Sequence, residues 1–260
     1  MSSVSSDLAS GRDTPFRIGS ALSRASRVYG AGFGKFFVLT LIPMAPFLIA
    51  GLIVWWVFGP EYVRRFAGGD VRFAVLGFLL SIFFWVFLSS LAQASCLYGA
   101  YQIMRSQSFG VADSLHVVTR RIVPVVLTSL LVGLAIVVAI LLLIIPGIIV
   151  TCALYVALPA CVIERLGAKN SLGRSWSLTR GHRWQIFGLV VLVAVVTEIA
   201  TAGVGAAAGM MNNVALLNVA KFVVQVVVQS FGIVLTAVVY HDLRVAKEGV
   251  DIDTIASVFD

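Results

Sequence analysis

The sequence predicts an all-α integral membrane protein with six transmembrane helices as three hairpins, each preceded by an amphipathic interfacial helix. Hydrophobic residues make up 60% of the chain and charged residues only 12%, with a mean hydropathy of +1.01. A soluble domain carries about a quarter charged residues, so lipid is the solvent for much of this chain. The arrangement follows from a polar stretch, Leu166 to Phe187, that bears Arg and Trp between two strongly apolar runs. Weaker copies of it occur twice earlier.

The formal charge of +7 fits basic residues that flank apolar spans, where they set topology and attract anionic headgroups. No basic, aromatic-interleaved soluble segment is present, which argues against nucleic-acid binding. Cys96, Cys152 and Cys161 all fall in apolar segments without metal-ligand spacing and read as small hydrophobes. The first thirty residues lack a compact apolar stretch with a cleavage site, so the first span is expected to serve as the targeting signal.

Residues 1–14 are polar and Ser-rich and are expected to be a disordered tail. From Pro15, Ile18, Leu22, Ala25 and Tyr29 recur at helical spacing opposite Arg17, Ser20, Arg24 and Arg27, the pattern of an interfacial helix. Gly30, Gly32 and Gly34 are expected to form a hinge. The Gly34-Lys35 pair is not a phosphate loop, because Tyr29 and Phe36 occupy positions that motif reserves for Gly and Ser or Thr.

Span one is expected over about 36–58, kinked by Pro43 and Pro46, with Trp55 and Trp56 at the far interface, and span two over about 73–104. Phe109 opens a second surface helix, with Val111, Leu115 and Val118 opposite Asp113, His116 and Arg120. Span three is expected over about 122–145. Pro146-Gly147 then reads as a tight turn into span four, about 148–163. In the third surface helix Ala168, Leu172, Trp176 and Thr179 share one face, and Asn170, Arg174 and Ser177 the other. Span five, about 184–208, ends in small residues that permit close helix contact. Asn212-Asn213 marks a turn, and span six covers about 215–240.

The three surface segments align on Leu22, Leu115 and Leu172. A residue of N-capping type stands two positions before each (Ser20, Asp113, Asn170) and a small residue just before (Ala21, Ser114, Ser171). The membrane domain is thus expected over 15–245, in repeat units of about 15–105, 106–165 and 166–245, with a polar tail over 246–260. Six spans put fifteen of the 19 basic residues on one side together with both termini. The positive-inside rule makes that side cytoplasmic.

Two sets of candidate residues follow. Arg24, Arg27, Arg120, Arg121, Arg174, Trp176, Arg180, Arg183 and Trp184 are candidates for binding lipid at the interface. Within the membrane, Glu198 lies roughly 21 Å into span five, and Lys221, Gln225 and Gln229 share a face of span six. Ionisable residues at that depth point to a polar site for a headgroup, proton or ion, or to a network that fixes helix packing. No catalytic constellation, metal site or cofactor motif is present: His116, His182 and His241 are far apart in sequence and belong to the predicted cytoplasmic surface.

Pro146-Gly147, Pro159, Glu164, Gly167, Ser171-Leu172, Arg174-Ser175-Trp176, Leu178-Thr179-Arg180-Gly181, Trp184 and Phe187-Gly188 together resemble the signature of the glycerophosphoryl diester phosphodiesterase membrane-domain family. The ending Tyr240-His241-Asp242-Leu243-Arg244 with Lys247-Glu248-Gly249 is similar to that family's end, and Phe16-Ile18-Gly19 with Ala21-Leu22 to its beginning. The resemblance implies a stand-alone bacterial inner-membrane protein without the phosphodiesterase barrel, and hence without that enzyme's activity. The expected function is non-enzymatic engagement of anionic phospholipid, in membrane organisation or lipid presentation to a partner on the cytoplasmic face. Transport of a small or amphiphilic solute past Glu198 is the alternative, and an intramembrane scaffold for a soluble partner is a third.

Overall fold

The computed structural model describes residues 18–58, 71–209 and 214–248. Among the described residues there are nine helices and no strand: α1 (Ile18–Phe58), α2 (Val71–Met104), α3 (Val111–Thr119), α4 (Ile122–Leu142), α5 (Ile144–Leu154), α6 (Ala157–Ile163), α7 (Ala168–Thr179), α8 (Arg183–Gly209) and α9 (Val214–Glu248). Six stretches are long and apolar enough to cross a membrane: α1, α2, α4, α5 with α6, α8 and α9. The chain is therefore built as a multi-pass membrane protein. The expected N-terminal tail, the segment 59–70, the Asn212-Asn213 turn and residues 249–260 lie outside the described residues.

The first surface helix and span one are two helices joined across a kink within α1, at the hinge expected over Gly30 to Gly34; the backbone leaves helical dihedrals at Gly32 (φ −131°, ψ 21°) and not at Pro43 or Pro46. A Cβ at Gly32 would stand 2.8 Å from Ile103 Cδ1 and 3.0 Å from Phe36 Cε2. The bend thus sits where α1 lies close to Ile103 of α2, and a larger residue there would require that side chain to shift.

The turn between α4 and α5 is a single residue, Leu143 (φ −167°, ψ 143°), and not Pro146-Gly147. Pro146 lies in the first turn of α5, where its missing N–H would have had no intrahelical partner. Gly147 serves packing: a Cβ there would lie 2.4 Å from Ile140 Cγ1 and 3.0 Å from Ile140 Cα. Span four is also divided, since Val156 (φ −105°, ψ 18°) separates α5 from α6. Finally, α9 continues to Glu248, past the expected start of the polar tail at 246.

The helices pack tightly at one end. α9 is central there and packs against α1, α2 and α8. One cluster joins Ala21 and Ala25 of α1, Cys152 of α5, Leu178 of α7, Ile186 and Leu189 of α8, and Leu235, Tyr240 and Leu243 of α9. A second joins Phe36 and Leu39 of α1 with Leu97 and Ala100 of α2, Phe109, and Val234 and Ala237 of α9. Phe109 fits because Gly99 leaves room: a Cβ there would stand 2.7 Å from its ring. Lys35 bonds the Phe109 carbonyl at 2.8 Å. At the opposite end the apolar side chains face outward, among them Ile53, Phe83, Leu141 and Ile199. Such a surface is stable against acyl chains and not against water.

Candidate functional site: the basic end of the bundle

The packed end is also the basic end. Its charges fall into two groups, one neutralised by the protein itself and one not.

The first group is centred on α7. Glu164, at the end of α6, accepts 3.0 Å hydrogen bonds at both carboxylate oxygens from Arg174 Nε, and Arg174 Nη2 lies 2.9 Å from Glu164 Oε1. The same guanidinium pairs with Glu248. Arg244 reaches Glu248 from one turn earlier on α9 at 3.1 Å, and the Tyr240 hydroxyl donates to Glu164. Burial works against the charged form of Arg174, but hydrogen bonds to Glu164 and Glu248 outweigh it and raise its pKa above the ordinary arginine value. Nearby, Asp242 pairs with Arg24 at 2.6 Å, and Lys247 donates to the Ser177 carbonyl. Burial, and behind it the charge of Lys247, lowers the pKa of His182 below 6.5.

α7 docks by a face that overlaps the expected one only in part. Ala168, Ser171, Ser175, Leu178 and Thr179 are buried, whereas Trp176 is exposed and Leu172 half-buried. The reason lies in hydrogen bonding. Ser175 Oγ and Thr179 Oγ1 both donate to the Ala153 carbonyl of α5, at 2.8 and 3.1 Å. Small hydroxyl side chains let α7 approach α5 closely and occupy a carbonyl near the break at Val156. Arg183 then lies over the exposed Trp176 ring at 4.4 Å, and Trp184 stands almost fully exposed beside it at 85%.

Two of the three residues of N-capping type, Asp113 and Asn170, do not cap their helices. Gly110 and Gly167 are the N-caps of α3 and α7, both in extended conformation, and Asp113 and Asn170 lie one turn further in. Ser114 Oγ bonds the Gly110 carbonyl at 2.9 Å and Ser171 Oγ bonds the Gly167 carbonyl at 3.0 Å. The small residues before the three aligned leucines, Ala21, Ser114 and Ser171, are all fully buried.

The second group has no carboxylate partner among the described residues. It comprises Arg105, Arg120, Arg121, Arg165, Lys169 and Arg180. Arg105, Arg121 and Arg165 converge on a cavity of about 310 Å³ bounded by the end of α2, by α3, by the start of α4 and by the end of α6. Its inner wall is apolar, with Val118, Val125 and Cys161 buried there. Gln102 and Tyr98, bonded to each other at 2.9 Å, line it from α2. The sequence reading included Arg121 but not Arg105 or Arg165, which stand one residue and two residues past helix ends. The polar breaks between long apolar runs in which both lie were the signal that could have found them.

The intramembrane candidates are not assembled in the way expected. Glu198 and Lys221 are both exposed, and no ion pair joins them among the described residues. Lys221 lies across Gly205, its Cε 3.6 Å from a Cβ built there, about 10 Å along α8 from Glu198. Gln225 is exposed and Gln229 half-buried on α9. Arg27 and Arg120 are exposed at the basic end, while Arg24 and Arg174 are held by the protein's own carboxylates. His116, His182 and His241 stay apart, and no group of three metal-ligating side chains occurs among the described residues.

A family described as a domain of unknown function (DUF7847) matches residues 61–243. The match spans α2 to most of α9, and so includes the cavity and the α7 network. It carries no link to glycerophosphoryl diester phosphodiesterase membrane domains. No curated protein and no solved structure matches.

Proposed function

We propose, for a chain that belongs to the DUF7847 family, a non-enzymatic role in the membrane: engagement of anionic phospholipid at the basic end, in membrane organisation or in presenting lipid to a partner. One observation carries this reading. Among the described residues, six basic side chains stand without a carboxylate partner at the end of the bundle where Trp176 and Trp184 are exposed. Of the acids at this end, Glu164, Asp242 and Glu248 are already engaged with Arg174, Arg244 and Arg24. Each uncompensated cation near an anionic surface contributes about 1 kcal/mol. Indole rings at that level suit the headgroup region.

The finer architecture belongs to the same proposal. Consecutive spans pack against each other as α1 with α2, α4 with α5, and α8 with α9, which supports three hairpins. Matching Gly N-caps and Gly-to-Ser bonds in α3 and α7, with buried small residues at 21, 114 and 171, support an approximate threefold repeat. On the positive-inside rule the basic end and both termini are cytoplasmic, in a bacterial inner membrane. Kinship to the glycerophosphoryl diester phosphodiesterase membrane domains is kept as a proposal on the residues quoted above. Transport past Glu198 is the weaker reading, because Lys221 of α9 lies against Gly205, two turns along α8 from Glu198.

The test is lipid selectivity of the full chain in nanodiscs of mixed phosphatidylglycerol and phosphatidylcholine. Phosphatidylglycerol should be enriched around the protein and the enrichment should fall with salt. Arg120→Gln with Lys169→Gln and Arg180→Gln should reduce it, at roughly 1 kcal/mol per charge. No enrichment in the wild-type protein would end the reading.

A further inference from the structure

We propose that the cavity bounded by α2, α3, α4 and α6 is a discrete site for a phosphate-bearing ligand, held by Arg105, Arg121 and Arg165. The inference rests on the lipid reading but goes beyond it: the surface charges attract a class of lipid, whereas this cavity would take one molecule.

Three independent features converge there. The first is composition. Three arginines line one cavity of about 310 Å³, and no acid lines it. Arginines placed together without carboxylates repel one another, so the arrangement is stable only with water or an anion between them. Planar, forked donors match phosphate oxygens better than any other side chain.

Backbone conformation is the second. Only two non-glycine residues among the described ones have positive φ, Ser106 and Arg165, both at 56°. Arg165 itself lines the cavity, and Ser106 directly follows Arg105. Ser106 N–H bonds the Ile103 carbonyl at 2.9 Å and Gln107 N–H bonds the Gln102 carbonyl at 2.9 Å. That is the helix-ending motif in which glycine usually takes the left-handed position. Two side-chain-bearing residues accept this conformation at the two helix ends that aim Arg105 and Arg165 at the cavity. Strained backbone at such a point is a mark of a site.

The third feature is polarity by depth. The arginines stand at the end of the bundle, while Val118, Val125 and Cys161 form the inner wall. The start of α4 also faces the cavity, with Arg121 as its N-cap, and a helix N-terminus favours negative charge. A ligand with a phosphate and an apolar part fits this gradient. The volume is of the order of one small ligand and well short of a whole lipid, so the headgroup enters and the acyl chains lie outside.

The phosphate has two possible sources, a phospholipid headgroup or a free phosphorylated solute, and the experiment separates them. The purified full chain in phosphatidylcholine nanodiscs is titrated with inorganic phosphate, and separately with dihexanoyl phosphatidylglycerol below its micelle concentration. Saturable one-to-one binding of either probe is expected, and the tighter one identifies the source. Arg105→Gln, Arg121→Gln and Arg165→Gln should each weaken it about fivefold, and the triple variant should abolish it. A triple Arg→Lys variant keeps the charge and should still lose at least tenfold, because the forked donors are gone. A melting curve in the same nanodiscs checks that each variant is folded, and should a Gln variant prove unfolded the Lys variant decides. Saturable binding by neither probe, or binding unchanged in a folded triple variant, overturns the site. If enrichment of anionic lipid in mixed nanodiscs persists in that variant, the surface reading survives without the cavity. If it is missing from the wild-type protein, the surface reading itself has failed.

Discussion

Arg174 shows how little of a residue's role is written in its position along the chain. It stands in the most basic stretch of the sequence, and its spacing puts it on the polar face of a surface helix. In the fold two carboxylates, Glu164 and Glu248, close on its guanidinium. Neither partner is adjacent to it, at ten and seventy-four residues away, so no local pattern reveals them. The side chains are partly solvated, at 26% for Arg174 and 17% for Glu164, so the pair is worth less than a fully buried one. Arg174→Gln should lower stability by about 1–3 kcal/mol, mainly because Glu164 is left with the Tyr240 hydroxyl and no cation. Adding Glu164→Gln should recover part of that loss. Unfolding in mixed micelles measures both, and an Arg174→Gln variant as stable as the parent would show that the network is ornamental. Lipid affinity should change little, which separates Arg174 from Arg120, Lys169 and Arg180.

Among the elements, the long apolar runs were legible because hydrocarbon demands about twenty apolar residues per crossing whatever the packing. The joints were not, because a joint depends on what stands opposite. Pro146-Gly147 has the composition of a turn, yet Pro146 is in the first turn of α5 and Gly147 lies against Ile140 across the α4–α5 contact. The face of α7 is legible in part. Of Ala168, Leu172, Trp176 and Thr179, which hydrophobic periodicity groups, Ala168 and Thr179 are buried, whereas Ser171 and Ser175 are buried beside them because helix association in a membrane favours small and hydroxyl-bearing residues. Gly147→Ala tests the first point. The new methyl has Ile140 Cγ1 at 2.4 Å and Ile140 Cα at 3.0 Å, so α4 and α5 must separate, at about 1–3 kcal/mol. Gly133→Ala, on α4 where a Cβ meets nothing within 4 Å, should be neutral or stabilising by up to roughly 1 kcal/mol. Equal melting temperatures for the two variants would remove the packing role of Gly147.

Across the whole molecule the chain is asymmetric, with buried clusters and cations at one end and outward-facing aliphatic residues at the other. The α4–α5 joint bears on how far the second pair of spans reaches. α4 has 21 residues, about 31 Å of helix, which barely matches a hydrocarbon core of about 30 Å. Residues 130–150 contain no polar side chain, and Leu141 to Ile145 are all exposed at the tip. A tip in water would be expected to carry polar turn residues. This one has Pro146, which removes a backbone donor that lipid could not satisfy. The tip is therefore expected to end at the hydrocarbon boundary and not to project into water. Single cysteines at Glu61, Arg120, Leu143 and Lys169, in a chain whose buried Cys96, Cys152 and Cys161 are replaced by alanine, test this together with the six-span topology. A membrane-impermeant maleimide should reach Arg120→Cys and Lys169→Cys from the cytoplasmic face and Glu61→Cys only from the other. Leu143→Cys should react slowly from either side, while a small permeant maleimide still modifies it. If Glu61→Cys and Arg120→Cys label from the same face, the six-span arrangement is wrong. If Leu143→Cys labels as fast as Glu61→Cys, the tip is in water, and its uniform apolarity then needs a partner to cover it.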